Sequence, residues 1–441
     1  MRADVRLLKL LPSRTVLLAL LVLAAAPLAL AQPGSLDPAF AGLPFEQWLA
    51  GGEQARMQWS VSVSRARLSA HQRLRADVEI RLDGAELARR RREGELLILL
   101  QISDQQGSRY QNHLSMDLAK VEEGVAKQDL VSTFTAFVTP GDYRVSVVLY
   151  DTATREHSLK QARMEVAPLR NDPLPGAWRD LPSVEYLPPA DPPDSWYLPS
   201  LTGRLRLPLK PRSPVEIELI VNLTPSEWAS ASAEMQNRNL SVLIPALKVI
   251  SELAGPGVRL NAELLDLSRQ RVAFHQDNVG VLNWTAMRRS LAEGGASTID
   301  LQSLQRHRQS AAFFVAEVGR ILAAPHGPRR VLIVLSGPLA FERGVDLVPI
   351  ALGPPPDCSV FYIRYHSFHP SPPARPPLAR GPRRGPSPLG GWGHPGELPD
   401  RDTQFDQLES TLKPLAPRLF DVDTPEEFRK ALATLLAEIA N

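Results

Sequence analysis

Val215-Glu-Ile-Glu-Leu-Ile-Val-Asn-Leu-Thr-Pro-Ser226 decides how the second half of this chain is read. An apolar run of strand length ends in Asn222, Thr224 and Ser226, spaced two apart so that all three side chains can face one way from an extended turn. In open α/β sheets, ligands bind beyond the carboxyl ends of the strands. These three residues are therefore candidate binding groups. A helical pattern follows: Leu240, Leu243, Ile244, Leu247, Ile250 and Leu253 recur at three- and four-residue steps. Gly255-Pro-Gly257 marks its end.

Downstream, 258–267 and 271–275 read as strands, with Ser268-Arg-Gln270 as the turn between them. Helical spacing returns over 281–291 and 301–322. Val331-Leu-Ile-Val-Leu335 and Ser359-Val-Phe-Tyr-Ile363 have the composition of buried strands in a sheet covered on both faces. An insertion rich in Pro, Gly and Arg fills 369–399, a composition that favours disorder. The pattern then resumes with a helix at 405–415 and a strand at 418–422. Thr424-Pro-Glu-Glu427 supplies a cap, a first-turn proline and a reciprocal glutamate to start a last helix. The span 215–441 thus predicts a doubly wound parallel-sheet α/β domain.

Upstream the grammar is different. Residues 57–168 alternate with period two in Trp59-Ser-Val-Ser-Val and in Leu74-Arg-Ala-Asp-Val-Glu-Ile-Arg-Leu82. Turn signals stand at Asp83-Gly84, Gln106-Gly107 and Pro140-Gly-Asp142. About seven short strands in this span predict a β-sandwich, and Pro140-Gly-Asp-Tyr-Arg-Val resembles the turn-plus-tyrosine that opens a late strand of immunoglobulin-like domains. A lead at 32–56 carries an apolar cluster of Phe45, Trp48 and Leu49. Eleven prolines from Pro173 to Pro214 make 169–214 a stiff connector, which Trp178, Tyr186, Trp196 and Tyr197 equip to pack on a neighbour.

Residues 1–31 read as a secretory signal. Arg2, Arg6, Lys9 and Arg14 precede an apolar run, and Ala29-Leu-Ala31 fits the small-x-small cleavage pattern. A retained membrane anchor is the alternative; the run is short for a spanning helix, which needs roughly 20 residues. Cleavage leaves 50 − 4 = 46 basic and 48 − 1 = 47 acidic side chains, a net charge of −1. That balance gives no electrostatic reason to expect nucleic acid. Cys358 is the only cysteine, so no internal disulfide forms. The expected location is secreted or periplasmic.

Three landmarks carry a resemblance to the von Willebrand factor A-like family of exported bacterial proteins. They are Asn222-x-Thr224-x-Ser226, Glu293-Gly-Gly-Ala-Ser-Thr298 and the strand ending Ser336-Gly-Pro338. The resemblance covers roughly half the chain and implies a metal-ion-dependent adhesion site at Asn222, Thr224, Ser226, Thr298 and Ser336, with Ser297 as a registry alternative to Thr298. Asn222 replaces the family's leading aspartate, and no aspartate follows Ser336. A dication such as Mg²⁺ or Mn²⁺ takes oxygen ligands with carboxylate charge nearby, so the site reads as degenerate and metal-free. Asp300 is the nearest carboxylate, at a position the family places on a helix surface.

The remaining motifs carry less chemistry. Arg89 to Arg92 fits a shielded sheet edge better than a polyanion site. His366-x-x-His369 lacks a helix to align two metal ligands. Ser226 and Ser336 lack the Gly-x-Ser-x-Gly turn of a hydrolase nucleophile. The expected function is a non-enzymatic protein-binding module, with no cofactor, that recognises a protein partner at the carboxyl edge of the sheet. Trp228 is a candidate interface residue. A Mg²⁺- or Mn²⁺-dependent adhesion module and an unrecognised hydrolase are the alternatives.

Overall fold

The computed structural model describes residues 36–54, 56–188, 201–224, 233–294, 310–325, 327, 329–339, 357–366 and 406–440. For 123, 233–238 and 293–294 it describes the backbone alone. The strands are β1 (Trp59–Val63), β2 (Arg67–Leu68), β3 (Leu74–Leu82), β4 (Glu95–Ser103), β5 (Arg109–Asp117), β6 (Leu130–Val138), β7 (Gly141–Asp151), β8 (His157–Val166) and β9 (Val184–Tyr186). They continue with β10 (Val215–Asn222), β11 (Val258–Asp266), β12 (Arg271–Gln276), β13 (Arg330–Ser336), β14 (Cys358–Tyr365) and β15 (Arg418–Val422). The helices are α1 (Phe45–Ala50), α2 (Gly84–Arg89), α3 (Ala233–Ser251), α4 (Trp284–Gly294), α5 (Ser310–Ala323), α6 (Gln407–Leu412) and α7 (Pro425–Ala440).

Contacts divide the chain into two units: 1–61 with 81–130 and 141–164, and 62–80 with 131–140 and 165–441. In the first unit, β4 pairs antiparallel with β5 and β7 in the sheet order β5-β4-β7-β8. The lead closes over this sheet. Phe40, Phe45 and Trp48 form one apolar cluster with Leu99, Val148 and Leu159. Glu46 pairs with Arg109 at 2.7 Å. A second sheet has the order β1-β3-β6-β9, with β2 pairing on β3.

The third sheet has the order β12-β11-β10-β13-β14-β15. β10, β11, β13, β14 and β15 pair parallel, and β12 pairs antiparallel with β11. Alternate side chains enter separate apolar clusters. Leu219, Val221, Ile333 and Ile363 pack with Leu247 of α3 and Leu432 of α7. Ile220, Val334 and Tyr362 pack with Phe314 of α5 and Leu412 of α6. Burial on two sides explains why β10 and β13 read as near-continuous apolar runs.

The expected fold, an immunoglobulin-like β-sandwich followed by a doubly wound parallel sheet, requires correction. The described residues form fifteen strands in three sheets and are predominantly β, and the third sheet is mixed. The reason lies at Ser268-Arg-Gln270. A parallel neighbour needs a crossover of roughly a dozen residues; the short connection between β11 and β12 permits only antiparallel return. The expected 405–415 helix is likewise split, because Pro414 closes α6 into a 3₁₀ turn at Lys413–Leu415.

Part of the proline-rich segment belongs to a core. Leu174, Ala177 and Leu205 are buried in the same cluster as α3 and α7. Arg429 of α7 is its polar tie: Nε and Nη2 donate to the two oxygens of Asp172 at 2.6 and 2.8 Å, and Nη2 also donates to the Leu174 carbonyl. The guanidinium lies 4.6 Å from the centre of the Trp178 ring. Trp178 Nε1 donates to the Gln72 carbonyl, and Gln72 Nε2 to the Pro425 carbonyl. At the start of α7, Thr424 and Glu427 satisfy each other's backbone amides, as a capping box requires.

Burial alone would raise the Asp172 carboxyl, but its bonds from Arg429 and the Leu174 amide hold it below the usual range. A depressed carboxyl contributes stability above its unfolded value and loses it as pH falls through its folded value. Asp172→Ala strands a buried guanidinium. It is expected to cost roughly 3–5 kcal/mol at neutral pH, with the difference from the parent shrinking as pH drops below about 4. Denaturant melts of both proteins across that range check the size and the sign.

Candidate functional site

The parallel register brings the carboxyl ends of β10, β13, β14 and β15 to one edge. Val221 stands beside Leu335, Ser336 beside Arg364, and Arg364 beside Asp421. Thr224, Leu339 and His366, which follow β10, β13 and β14 in the chain, are the last described residues before 225–232, 340–356 and 367–405.

Three of the expected site residues are described, and each is committed internally. Asn222 is fully buried. Its Oδ1 accepts from the Thr224 amide at 3.0 Å, and its Nδ2 donates to Ser336 Oγ at 2.9 Å. Thr224 Oγ1 accepts from the Leu267 and Ser268 amides at 2.8 and 3.2 Å, tying the end of β10 to the turn after β11. Ser336 Oγ donates to the Gly337 carbonyl at 2.6 Å. The structure therefore brings Asn222 and Ser336 into contact and turns Thr224 toward the neighbouring turn. Ser226, Trp228, Ser297, Thr298 and Asp300 lie outside the described residues, as does His369.

The amide at 222 decides the chemistry. A carboxylate there would present only acceptors, whereas Asn222 presents its N–H₂ to Ser336. A hard cation at this point would have to displace an amide donor and two made hydrogen bonds without gaining a charge. The hydroxyls of Thr224 and Ser336 act as caps for backbone groups that burial would otherwise leave unpaired.

A second layer continues the network. Tyr362 OH donates to Asp406 Oδ2 at 2.8 Å, and Asp406 Oδ1 accepts from the Leu339 and Leu408 amides, both at 3.1 Å. Arg364 Nη1 reaches Asp406 at 3.3 Å and Glu409 at 2.7 Å, while its Nε donates to Asp421 at 2.6 Å. His366 Nε2 lies 3.2 Å from Asp421. Burial, then the Asp406 charge, pushes the Tyr362 phenol well above its ordinary range, so it stays a donor. Burial opposes ionisation of Asp421, but Arg364 and His366 outweigh it and hold the carboxyl low.

Sequence reasoning missed Tyr362, Arg364, Asp406 and Asp421. A signal for the first two exists: a phenol and a guanidinium interrupt an apolar strand two apart, at the same end where Asn222 closes β10. Asp406 follows a long segment without pattern, and nothing local marks it. The arginine run resolves into an internal network. Arg89 and Arg90 pair with Glu86, Arg90 with Glu156 and Asp151, and Arg92 with Asp151.

Comparison with known proteins adds little. No family model and no curated protein matches the chain. Among solved structures, the chain is similar to a Northeast Structural Genomics Consortium target at 10% identity and a TM-score of 0.18, over 27% of this chain and 95% of that one. It is also similar to a glycosyl hydrolase family 2 member from Bacteroides cellulosilyticus at 10% identity and a TM-score of 0.17. That likeness covers 64% of this chain and 31% of the hydrolase, so the chain spans under a third of its length. Neither similarity is strong enough to carry an argument. Among the described residues no helix is long and apolar enough to cross a membrane.

Thermal melts with and without Mg²⁺ or Mn²⁺ test the reading of Asn222. The expected outcome is no shift in melting temperature at millimolar metal. Binding at a concentration 100 times the Kd would contribute about 2.7 kcal/mol, an effect easily seen. A chelator-reversible rise would show that the edge accommodates a cation despite the amide.

Proposed function

We propose that this chain is an exported, non-enzymatic protein-recognition module whose partner docks on the carboxyl edge of the mixed sheet without a metal ion. One observation supports the reading above others. The polar groups at the ends of β10, β13 and β14 spend their hydrogen bonds on one another and on the adjacent backbone. The Ser336 proton goes to the Gly337 carbonyl and the Tyr362 proton to the Asp406 carboxylate, which supports a positioning role for both hydroxyls over attack on a substrate. A rim tied in this way is a scaffold for the segments that leave it. Loops held on a rigid sheet end are where recognition residues concentrate. The basic start, apolar run and Ala29-Leu-Ala31 of the first 31 residues support export.

Trp228 belongs to the first of those segments, and an aromatic at such a place is the residue type that anchors interfaces. Site-specific photo-cross-linking in the producing cell tests the proposal on the full chain. p-Benzoylphenylalanine is placed at position 228, or at position 256 in the exposed turn before β11, at the opposite end of the strands. The expected result is a discrete protein adduct from 228 that 256 does not give. A yield at 228 no greater than at 256 would contradict recognition at the carboxyl edge.

A further inference from the structure

Lys248 of α3 has Glu252 four residues further on, the spacing at which helical ion pairs form. That pair is not made. Arg204 Nε donates to Glu252 Oε2 at 2.6 Å and occupies it. The other carboxylate near Lys248 is Glu185, and it is more heavily engaged. Arg73 pairs with it, the Thr202 amide and hydroxyl donate to it at 2.5 and 3.0 Å, and the Gly203 amide adds a longer bond. Arg73 is held in place, with its guanidinium 4.6 Å from the centre of the Phe137 ring. His71 meets the same ring edge-on at 5.3 Å. Burial first, then the charges of Lys248, Arg73 and Arg75, push that imidazole down to about 3, so it is neutral at physiological pH.

The local charges therefore cancel in two pairs, Arg73 with Glu185 and Arg204 with Glu252. Lys248 is left over. Among the described residues no carboxylate stands at ion-pair distance from its Nζ, yet the residue is only partly covered. Burial is the first cause that holds its ammonium below the usual range. Arg73 and Arg204 add to that effect, against the opposing pull of Glu252 and Glu185. An amine that loses its proton easily is the nucleophile among lysines.

We propose that Lys248 is a modification site, a nucleophilic amine acylated by small acyl phosphates. The neutral amine attacks the acyl carbon, a C–N bond forms, and the C–O bond to phosphate breaks. Phosphate leaves with the electron pair, and the proton released from nitrogen passes to it. The product amide is uncharged, so the two ion pairs that remain balance and no unmatched charge is left among them.

The test uses the folded full chain and limiting acetyl phosphate, with each lysine followed by peptide mass spectrometry. Lys120, whose side chain is 83% exposed, is the internal reference. Lys248 is expected to acetylate several-fold faster than Lys120 in the native protein and at the same rate in denaturant. The Arg204→Gln variant separates environment from accessibility. The Arg204 side chain is half exposed, and its loss frees Glu252 to pair with Lys248. The variant is expected to bring Lys248 down to the rate of Lys120. A native Lys248 no faster than Lys120, or an Arg204→Gln variant with an unchanged Lys248 rate, overturns the proposal.

Discussion

The hydrogen bond from Asn222 Nδ2 to Ser336 Oγ is the constraint on which the carboxyl edge of the mixed sheet depends. It joins the ends of two adjacent strands, β10 and β13, at a point where both side chains are fully buried. An unpaired buried polar group there would cost roughly 1–3 kcal/mol. Thr224 carries the tie outward to the turn after β11. On the other side, Tyr362 and Asp406 carry it to β14, α6 and the backbone at Leu339. The result is a sheet end whose polar groups are committed before any ligand arrives.

That commitment separates two uses of the same place in a fold. Ligand chemistry at a strand end needs acceptors or protons that are free to change partners. Recognition by loops needs the opposite, a fixed base from which the loops project. A carboxylate at 222 would only accept, whereas the Asn222 amide also donates. Its Nδ2 lets the neighbouring serine be satisfied within the protein.

Local pattern made some of this legible and left the rest out of reach. Residues 240–253 show their helix by the spacing of Leu243, Leu247 and Ile250, all of which are buried. The Thr424–Glu427 box marks the start of α7 because its chemistry is contained within four residues. The polar end of β10 announced Asn222 and Thr224, although their geometry turned out to be inward. The mixed character of the sheet was already implied by the short turn at 268–270, which leaves no room for a crossover, yet the continuous apolar runs on either side favoured a parallel reading. Arg429 and Asp172 are far apart in the chain, and so are Tyr362 and Asp406. Pairs of that kind depend on how elements assemble, which no local period encodes. The same holds for Lys248, whose environment is set by Arg204 and Glu185 from the proline-rich segment and Arg73 from the turn before β3.

The central claim is that the carboxyl edge is internally satisfied and needs no cation. Amide hydrogen exchange read at Thr224, Leu267, Leu339 and Leu408 tests it most directly, because each of these amides donates to an acceptor of the edge network. The account predicts that all four exchange only on global opening, at rates unchanged by Mg²⁺. Rapid exchange in the absence of metal, with protection gained on adding Mg²⁺, would contradict it.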